Sequence, residues 1–506
     1  MIKIFLSLAL IIVTVSGCSR FDLGDEGTAD PKSVLSWLPF KFAGRSQPVL
    51  EQPSQAWWES FGSSELDSFV QQALSENFDL KSAVARLEQA RAQMIIDGSA
   101  RFPTIDVTAG GSLDGPTGGV GTVERGAPWY IREMWQIGAV LNYEVNLWGR
   151  DQFNSEAAYN RALASEFGRQ TLSLSLTSGV VQTYYEALAL TERVRVAEQN
   201  LAAVSAIERG LQSKLEQGGS TLIEVIQQRI LVLNVSSQVD ALENQRQKAL
   251  SRLAVLTGQP PGSVKFSEYS VTDASLPLVD AGLPSDLLCR RPDIKRAEVT
   301  LLSANLDLQA ARANLLPSFT MSGGIGQGSF ELSNILAPES LFINATADLV
   351  QNIFDGGRRK AEVALASARK KEFLYNYANT VLIALQEVQD ALVGVDLSTR
   401  QYKSMQDASK LGAELSRISV DLLERGGMDY LQLFEIQRTV LETQDLSVVA
   451  RYNQILSTVN LMRAIGGSFN ASEAAECAGG EPLPQPSDAW SRAAGQTALR
   501  PQPVNY

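Results

Sequence analysis

The feature that most limits what this chain can fold into is an internal duplication. Asp79-Leu80-Lys81 recurs as Asp293-Ile294-Lys295, Ala83 and Ala90 recur as Ala297 and Ala304, and Phe102-Pro103-Thr104 recurs as Leu316-Pro317-Ser318, every pair 214 positions apart (79 to 293, 103 to 317). Further along the offset is 208 (218 to 426, 258 to 466). There Leu215-Glu216-Gln217-Gly218-Gly219 matches Leu423-Glu424-Arg425-Gly426-Gly427, and Leu253 through Gly258 matches Leu461 through Gly466. The difference between the offsets falls between strands, where loop length is easily changed. Whatever one half forms, the other must form again.

Each half reads as helix, strand, loop, strand, very long helix, turn, helix. Pro103 and Pro317 are expected to end the first helices, since proline cannot continue one. Strands are expected near 103–112 and 135–147, and again near 317–326 and 342–354. The first strands begin with Ile105, Val107 and Ala109 in one half and Phe319 and Met321 in the other. In the second strands Ile137, Ala139, Leu141, Tyr143, Val145 and Leu147 share one face; Gln136, Gly138, Asn142, Glu144 and Asn146 share the other. The repeat sets Ile343, Ala345, Ala347, Leu349 and Ile353 against Asn344, Thr346, Asp348 and Asn352. Period two marks half-buried strands, and their lengths reach the ~9–11 residues that a tilted membrane strand needs. Gly-rich segments at 112–133 and 326–341 read as surface loops.

Residues 149–216 contain no proline, and apolar side chains recur at heptad-like gaps: Val180, Tyr184, Ala187, Val194, Ala197, Leu201, Val204, Leu211 and Leu215. The counterpart 358–425 carries Leu385, Val388, Leu392, Val395 and Tyr402. At 1.5 Å per residue each helix is about 100 Å long and needs coiled-coil partners. Gly218-Gly219 and Gly426-Gly427 turn the chain back, so each half ends in an antiparallel hairpin.

At the N-terminus Lys3 precedes an apolar run from Ile4 to Val15, followed by Ser16-Gly17-Cys18. The run is too short to span and reads as a signal-peptide core, and its end resembles a bacterial lipobox with Cys18 as the lipidated residue. Beyond it no apolar stretch approaches the ~20 residues of a membrane helix, so any crossing must be made by strands in a closed barrel. Two strands per half give four per chain, fewer than the roughly eight of the smallest natural membrane barrel, so copies must pool strands. Three copies give about twelve; the count alone does not force three over two.

Composition removes whole classes of function. The chain has no histidine, which excludes histidine-based triads, metal sites and proton shuttles. The formal net charge of -12 disfavours nucleic acid as a partner. Cys18, Cys289 and Cys477 form no metal-ligand spacing, and there is no phosphate-binding glycine loop. No cofactor is expected apart from a covalent lipid at Cys18, nor a metal site or an enzymatic activity.

Trp57-Trp58-Glu59-Ser60-Phe61 with Glu65-Leu66, Asn77-Phe78-Asp79-Leu80, Leu283-Pro284-Ser285-Asp286-Leu287-Leu288 running into Arg290-Arg291-Pro292-Asp293-Ile294, and Phe354-Asp355-Gly356-Gly357-Arg358 together resemble the TolC/OprM outer-membrane efflux factors, in particular their lipidated branch. The resemblance runs from the lipobox to about residue 467. It implies a mostly α chain with a small β part: a homotrimer whose twelve-stranded outer-membrane β-barrel continues into a periplasmic α-helical coiled-coil barrel. It implies a passive exit duct, docked by a periplasmic adaptor (membrane fusion) protein and an inner-membrane pump of the RND type. Glu224 and Glu435 match acidic gate positions of the family, where three-fold symmetry makes rings of carboxylates. Gln432 stands where TolC itself has a further acidic residue, and a solvated helix face is the plainer role for both glutamates. Gly218, Gly219, Gly426 and Gly427 mark the adaptor-contacting tips. For Trp57 and Trp58, core packing or a membrane girdle is favoured over ligand contact.

The expected divisions are a signal peptide at 1–17, a lipid-anchored extension at 18–60, a first repeat at 61–258, a linker at 259–284, a second repeat at 285–467 and an irregular tail at 468–506. A lipid-anchored periplasmic adaptor or coiled-coil scaffold without a channel is the alternative. An adaptor, however, carries one hairpin between lipoyl-like halves, and this chain has two hairpins and membrane-length strands.

Overall fold

In the computed structural model the described residues are 56–114, 132–264, 271, 274–277 and 290–467, all within the unit Lys41–Tyr506. Cys18, Cys289, Cys477, the signal segment and the tail lie outside them. After a 3-10 turn at Trp57–Phe61 come α1 (Ser64–Glu76), α2 (Phe78–Ser99), β1 (Thr104–Asp114), β2 (Arg132–Val145), α3 (Arg150–Glu216) and α4 (Leu222–Leu256). The second half supplies α5 (Pro292–Ala313), β3 (Ser318–Ser329), β4 (Leu341–Val350), α6 (Arg358–Glu424) and α7 (Tyr430–Ala464). Both sequence offsets reappear in the element bounds. α2 and α5 match end for end at 214, and the pairs α3/α6 and α4/α7 match at 208.

Local chemistry sets these bounds. Asn77 breaks the first helical stretch in two: its side chain accepts from Leu80 N–H to cap α2, and its Nδ2 donates to Leu256 O at 3.0 Å. The first helices end at Ser99 and Ala313, short of Pro103 and Pro317, and each proline directly precedes a strand. The prolines therefore start strands rather than stop helices, a position where the missing N–H costs no ladder bond.

The long helices α3 and α6 have 67 residues each, about 100 Å at 1.5 Å per residue. The shorter helices complete rows of four around them. On the sheet side α3 packs against α2 and α5, and α5 against α6; toward the far end the order is α4, α3, α7, α6. Most of the expected heptad positions of α3 are buried, with Val180, Tyr184 and Ala187 fully enclosed. Leu190, Val194 and Ala197 pack on Leu242 and Ala249 of α4.

Trp57 belongs to the core. It meets Phe61 edge-on, and Phe61 meets Tyr185, which is itself packed on Tyr184. Arg291, in sequence only one member of a motif, is an internal clamp. It donates to Asp293 in the same turn, to Ala464 O at the end of α7 (3.0 Å), and pairs with Glu387 in the middle of α6 (2.7 Å).

The four strands form one antiparallel sheet in the order β1-β2-β3-β4. Two expectations change at its ends. β2 stops at Val145 and β4 at Val350, so Leu147 and Ile353 lie beyond the strands. The reason is the ladder: Ser318, the first residue of β3, pairs with Val350, and nothing remains for 351–354 to bond. The expected loops also shorten, because β1 runs to Asp114 and β3 to Ser329; residues 115–131 are outside the described set.

Candidate functional site

Two surfaces of this chain carry more than packing demands: one face of the sheet, and the ends of the two hairpins.

The sheet register sorts side chains cleanly, because directly paired residues share a face. Val107, Ala139, Ile325 and Ile343 form one row across all four strands; Thr104, Asn142, Ser322 and Thr346 form a row on the other side. Along the first face lie Ile105, Ile137, Leu141, Met321 and Leu349. Along the second lie Asp106, Thr108, Gln136, Asn344 and Asp348. Ser322 and Thr346 share a hydrogen bond on the polar side (2.6 Å). No residue of either outer strand, β1 or β4, is buried, and Val107 and Ile343 are 80% and 73% exposed. A sheet this apolar on one side, with two open edges, is not a finished structure in water.

At the opposite end of the helices both hairpins turn in the same way. Gly218 N–H donates to Leu215 O and Gly219 N–H to Lys214 O; Gly426 and Gly427 do the same to Leu423 and Leu422. This is the Schellman ending, with Gly218 and Gly426 in the left-handed region (φ +77° and +72°). A side chain placed at either would meet nothing within 4 Å, so the turns are open to an approaching partner.

The two carboxylates differ. Glu224 closes a capping box on α4: its Oε2 accepts from Ser220 Oγ (2.6 Å) and Thr221 N–H (2.9 Å), and Thr221 Oγ1 accepts from Glu224 N–H. The Ser220 hydroxyl and then the Thr221 amide hold its carboxyl below the usual range. Glu435 is exposed one turn further along α7 and lies 3.5 Å from Arg438. The repeat does not superpose them: Gln432 is the counterpart of Glu224, and Gln227 of Glu435, at the 208 offset. The two glutamates therefore stand at different levels, Glu224 in the first turn of α4 and Glu435 in the second turn of α7.

Sequence reasoning missed the bond that joins the tips. Gln228 on α4 is fully buried; its Nε2 donates to Val204 O of α3 (2.7 Å), and its Oε1 accepts from Tyr430 Oη at the start of α7. Tyr430 packs with Leu211 and Val225, and burial pushes its hydroxyl up to about 12. Arg193 on α3 grips Asp445 on α7 through two bonds (2.6 and 2.9 Å), and Gln182 donates to Asn460 (2.9 Å). Polar ties thus join the two halves at α7 positions 430, 445 and 460, about 22 Å apart along the helix. The signal for the tip tie lay in the repeat, where Gln228 and Tyr430 stand opposite Ile436 and Leu222.

Among the described residues no helix is long and apolar enough to cross a membrane, and no three acidic or cysteine side chains are grouped to hold a metal ion. The family model for outer membrane efflux proteins matches residues 69–259 and 283–467, one match to each half of the duplication. The chain belongs to the outer membrane efflux protein family. One relative, the pyoverdine export outer membrane protein OpmQ of Pseudomonas aeruginosa, is 33% identical over 453 residues, 88% of this chain and 93% of that protein. The probable outer membrane lipoprotein SilC of Salmonella typhimurium is 25% identical over 92% of this chain and 98% of its own length. The fold is also that of the Campylobacter jejuni CmeC outer membrane channel, with a TM-score of 0.78 at 24% identity over 91% of this chain and 97% of that one. This efflux protein is an outer-membrane exit duct, and its family consists of channel proteins rather than enzymes.

Proposed function

We propose that three copies of this efflux protein pool their sheets into a twelve-stranded outer-membrane barrel, continued by twelve helices across the periplasm. The observation that carries the proposal is the four-stranded antiparallel sheet with one apolar face and two unpaired edges. Hydrocarbon does not tolerate open edges, so β1 of one copy must pair with β4 of the next until the ring closes. Eight strands enclose an interior that side chains fill, whereas twelve leave a lumen, which favours three copies over two.

The helices support the same ring. The outer helices of the tip-side row, α4 and α6, each leave an apolar stripe uncovered: Ile223, Ile226, Ile230 and Leu233 on one, Leu411, Leu415, Ile418 and Leu422 on the other. Both stripes keep heptad gaps and lie within four turns of the tips, so the α4 edge of one copy fits the α6 edge of its neighbour. Four helices per copy make twelve at every level.

In this reading the duct is passive and spans outer membrane and periplasm, with the sheet at its membrane end and the hairpin tips at the other. Cys18 carries the lipid anchor, a reading supported by the relative named as a probable outer membrane lipoprotein. The tips, with Gly218, Gly219, Gly426 and Gly427, receive a periplasmic adaptor, and through it an inner-membrane pump of the RND type. Glu224 and Glu435 become two rings of three carboxylates at the narrow end, which attract cations. Small molecules delivered by the pump leave through the barrel.

The test is native mass in mild detergent after extraction from the outer membrane, followed by conductance in planar bilayers. A conducting trimer is expected. Ile343→Lys on the apolar face should lower the trimer yield by an amount consistent with about 2–4 kcal/mol per copy, and Asn344→Lys on the polar face should not. A monomer that stays soluble once Cys18 is replaced refutes the duct.

A further inference from the structure

The sheet joins the helices at one end only; at the other, residues 330–340 connect β3 to β4. This loop is folded. Two 3-10 turns, Leu332–Asn334 and Pro338–Ser340, are held by Asn334 Nδ2 donating to Glu331 Oε2 (2.9 Å) and Ser340 Oγ donating to Asn334 O (2.7 Å). Its direction is fixed by Gln327. The register pairs that residue with Ile137 and Leu341, so its side chain leaves the sheet on the apolar face. Its amide nitrogen, assigned by the carbonyls it faces, donates to Ile335 O and to Ala337 O (3.3 Å). The bonds draw the loop backbone toward the apolar side, away from the polar side that would line a lumen.

Having leaned that way, the loop presents Phe330, Leu332 and Leu336, which are 64%, 55% and 78% exposed. Water gives no reason for three large apolar side chains on a hydrogen-bonded loop. We propose that this loop is a membrane anchor that sets its apolar side chains into the outer leaflet of the outer membrane. The inference rests on the barrel reading above. Its occupant is lipid because the loop backbone is tied through Gln327 to the face that carries Ile325, Ile343 and Leu341, the face that meets hydrocarbon in the barrel. An aromatic and two leucines at the end of such a face suit the zone between headgroups and acyl chains. The consequence is a mouth that this loop widens and braces from outside rather than plugs.

Nitroxide labels on single cysteines read this directly, in trimers reconstituted into lipid. Leu336→Cys, Phe330→Cys, Ile343→Cys and Asn344→Cys are each made with Cys289→Ser and Cys477→Ser, and the chain with no added cysteine serves as the blank. Collision with molecular oxygen, which concentrates in lipid, is compared with collision with a water-soluble nickel chelate. The expected result is oxygen preference at 330 and 336, as at 343, and nickel preference at 344. A nickel preference at either loop position, with 343 still preferring oxygen, overturns the anchor and leaves the barrel standing. A nickel preference at 343 overturns the barrel reading itself, and the anchor with it.

Discussion

Replacing Tyr430 with phenylalanine removes a single oxygen from the buried contact between the hairpin tips. In the native chain Gln228 is satisfied on both sides, donating to Val204 O and accepting from Tyr430 Oη. Tyr430→Phe leaves Gln228 Oε1 with no donor at a site closed to water, while the packing on Leu211 and Val225 survives. An orphaned buried acceptor costs about 1–3 kcal/mol. If the tips open locally, their amides should then exchange with solvent roughly 5- to 150-fold faster. Hydrogen exchange read by mass spectrometry on peptides spanning 200–232 and 428–440 checks this. Peptides around Arg193 and Asp445, some 22 Å up α7, serve as the unaffected reference. Adding Gln228→Leu to Tyr430→Phe replaces both polar partners with apolar ones and should restore most of the protection. Unchanged exchange in Tyr430→Phe, or a double variant as labile as the sum of the singles, refutes the idea that this tie holds the tips together.

Arg291→Ala strands Asp293 and Glu387 and frees Ala464 O; because both carboxylates keep some contact with solvent, the loss should fall near the low end of the ~3–5 kcal/mol typical of a broken buried pair, read as a lower thermal midpoint of the detergent-solubilised protein. Gly218→Ala and Gly426→Ala force a Cβ into the left-handed region and should each cost about 1–2 kcal/mol, whereas Gly219→Ala, with only ordinary contact to Lys214 O at 3.6 Å, should be close to neutral in the same melt. Alkaline titration at 295 nm should show Tyr430 and Tyr452 ionising late, both near 12 because burial disfavours the phenolate. Their folded values lie above the unfolded value of about 10, so the stability they contribute is intact below pH ~10 and lost as pH rises toward 12. Tyr430→Phe should remove one late-titrating group.

Much of the fold was legible because duplication doubles every signal. The two offsets give the pairing of helices, and a proline-free heptad stretch such as Val180 to Leu215 admits little but a long packed helix. Where strands end was not legible. Alternation continues through Leu147 and Ile353, but a strand lasts only as long as its neighbour offers carbonyls and amides, and β3 has none past its pairing with Val350. The prolines misled for a related reason: proline bars a helix from continuing through it without saying how many residues earlier the helix has already stopped. At the tips the glycine pairs announced turns, and their φ values agree. Glu224 reads in sequence as a carboxylate near a turn, although Thr221 three residues before it gives the spacing of a capping box, which the structure closes.

The sequence by itself determined the repeat, the long helices and the amphipathic strands, because each follows from self-similarity and periodicity. Tertiary structure alone decided what joins the halves. Gln228 and Tyr430 are 202 residues apart and Arg193 and Asp445 are 252 apart, one partner in each half. A buried glutamine or arginine looks in sequence like any residue on a wet helix face. Only the packing of α3, α4, α6 and α7 against one another removes the water, and with it the alternative partners, so that a specific bond across the halves becomes the most favourable way to satisfy each polar group.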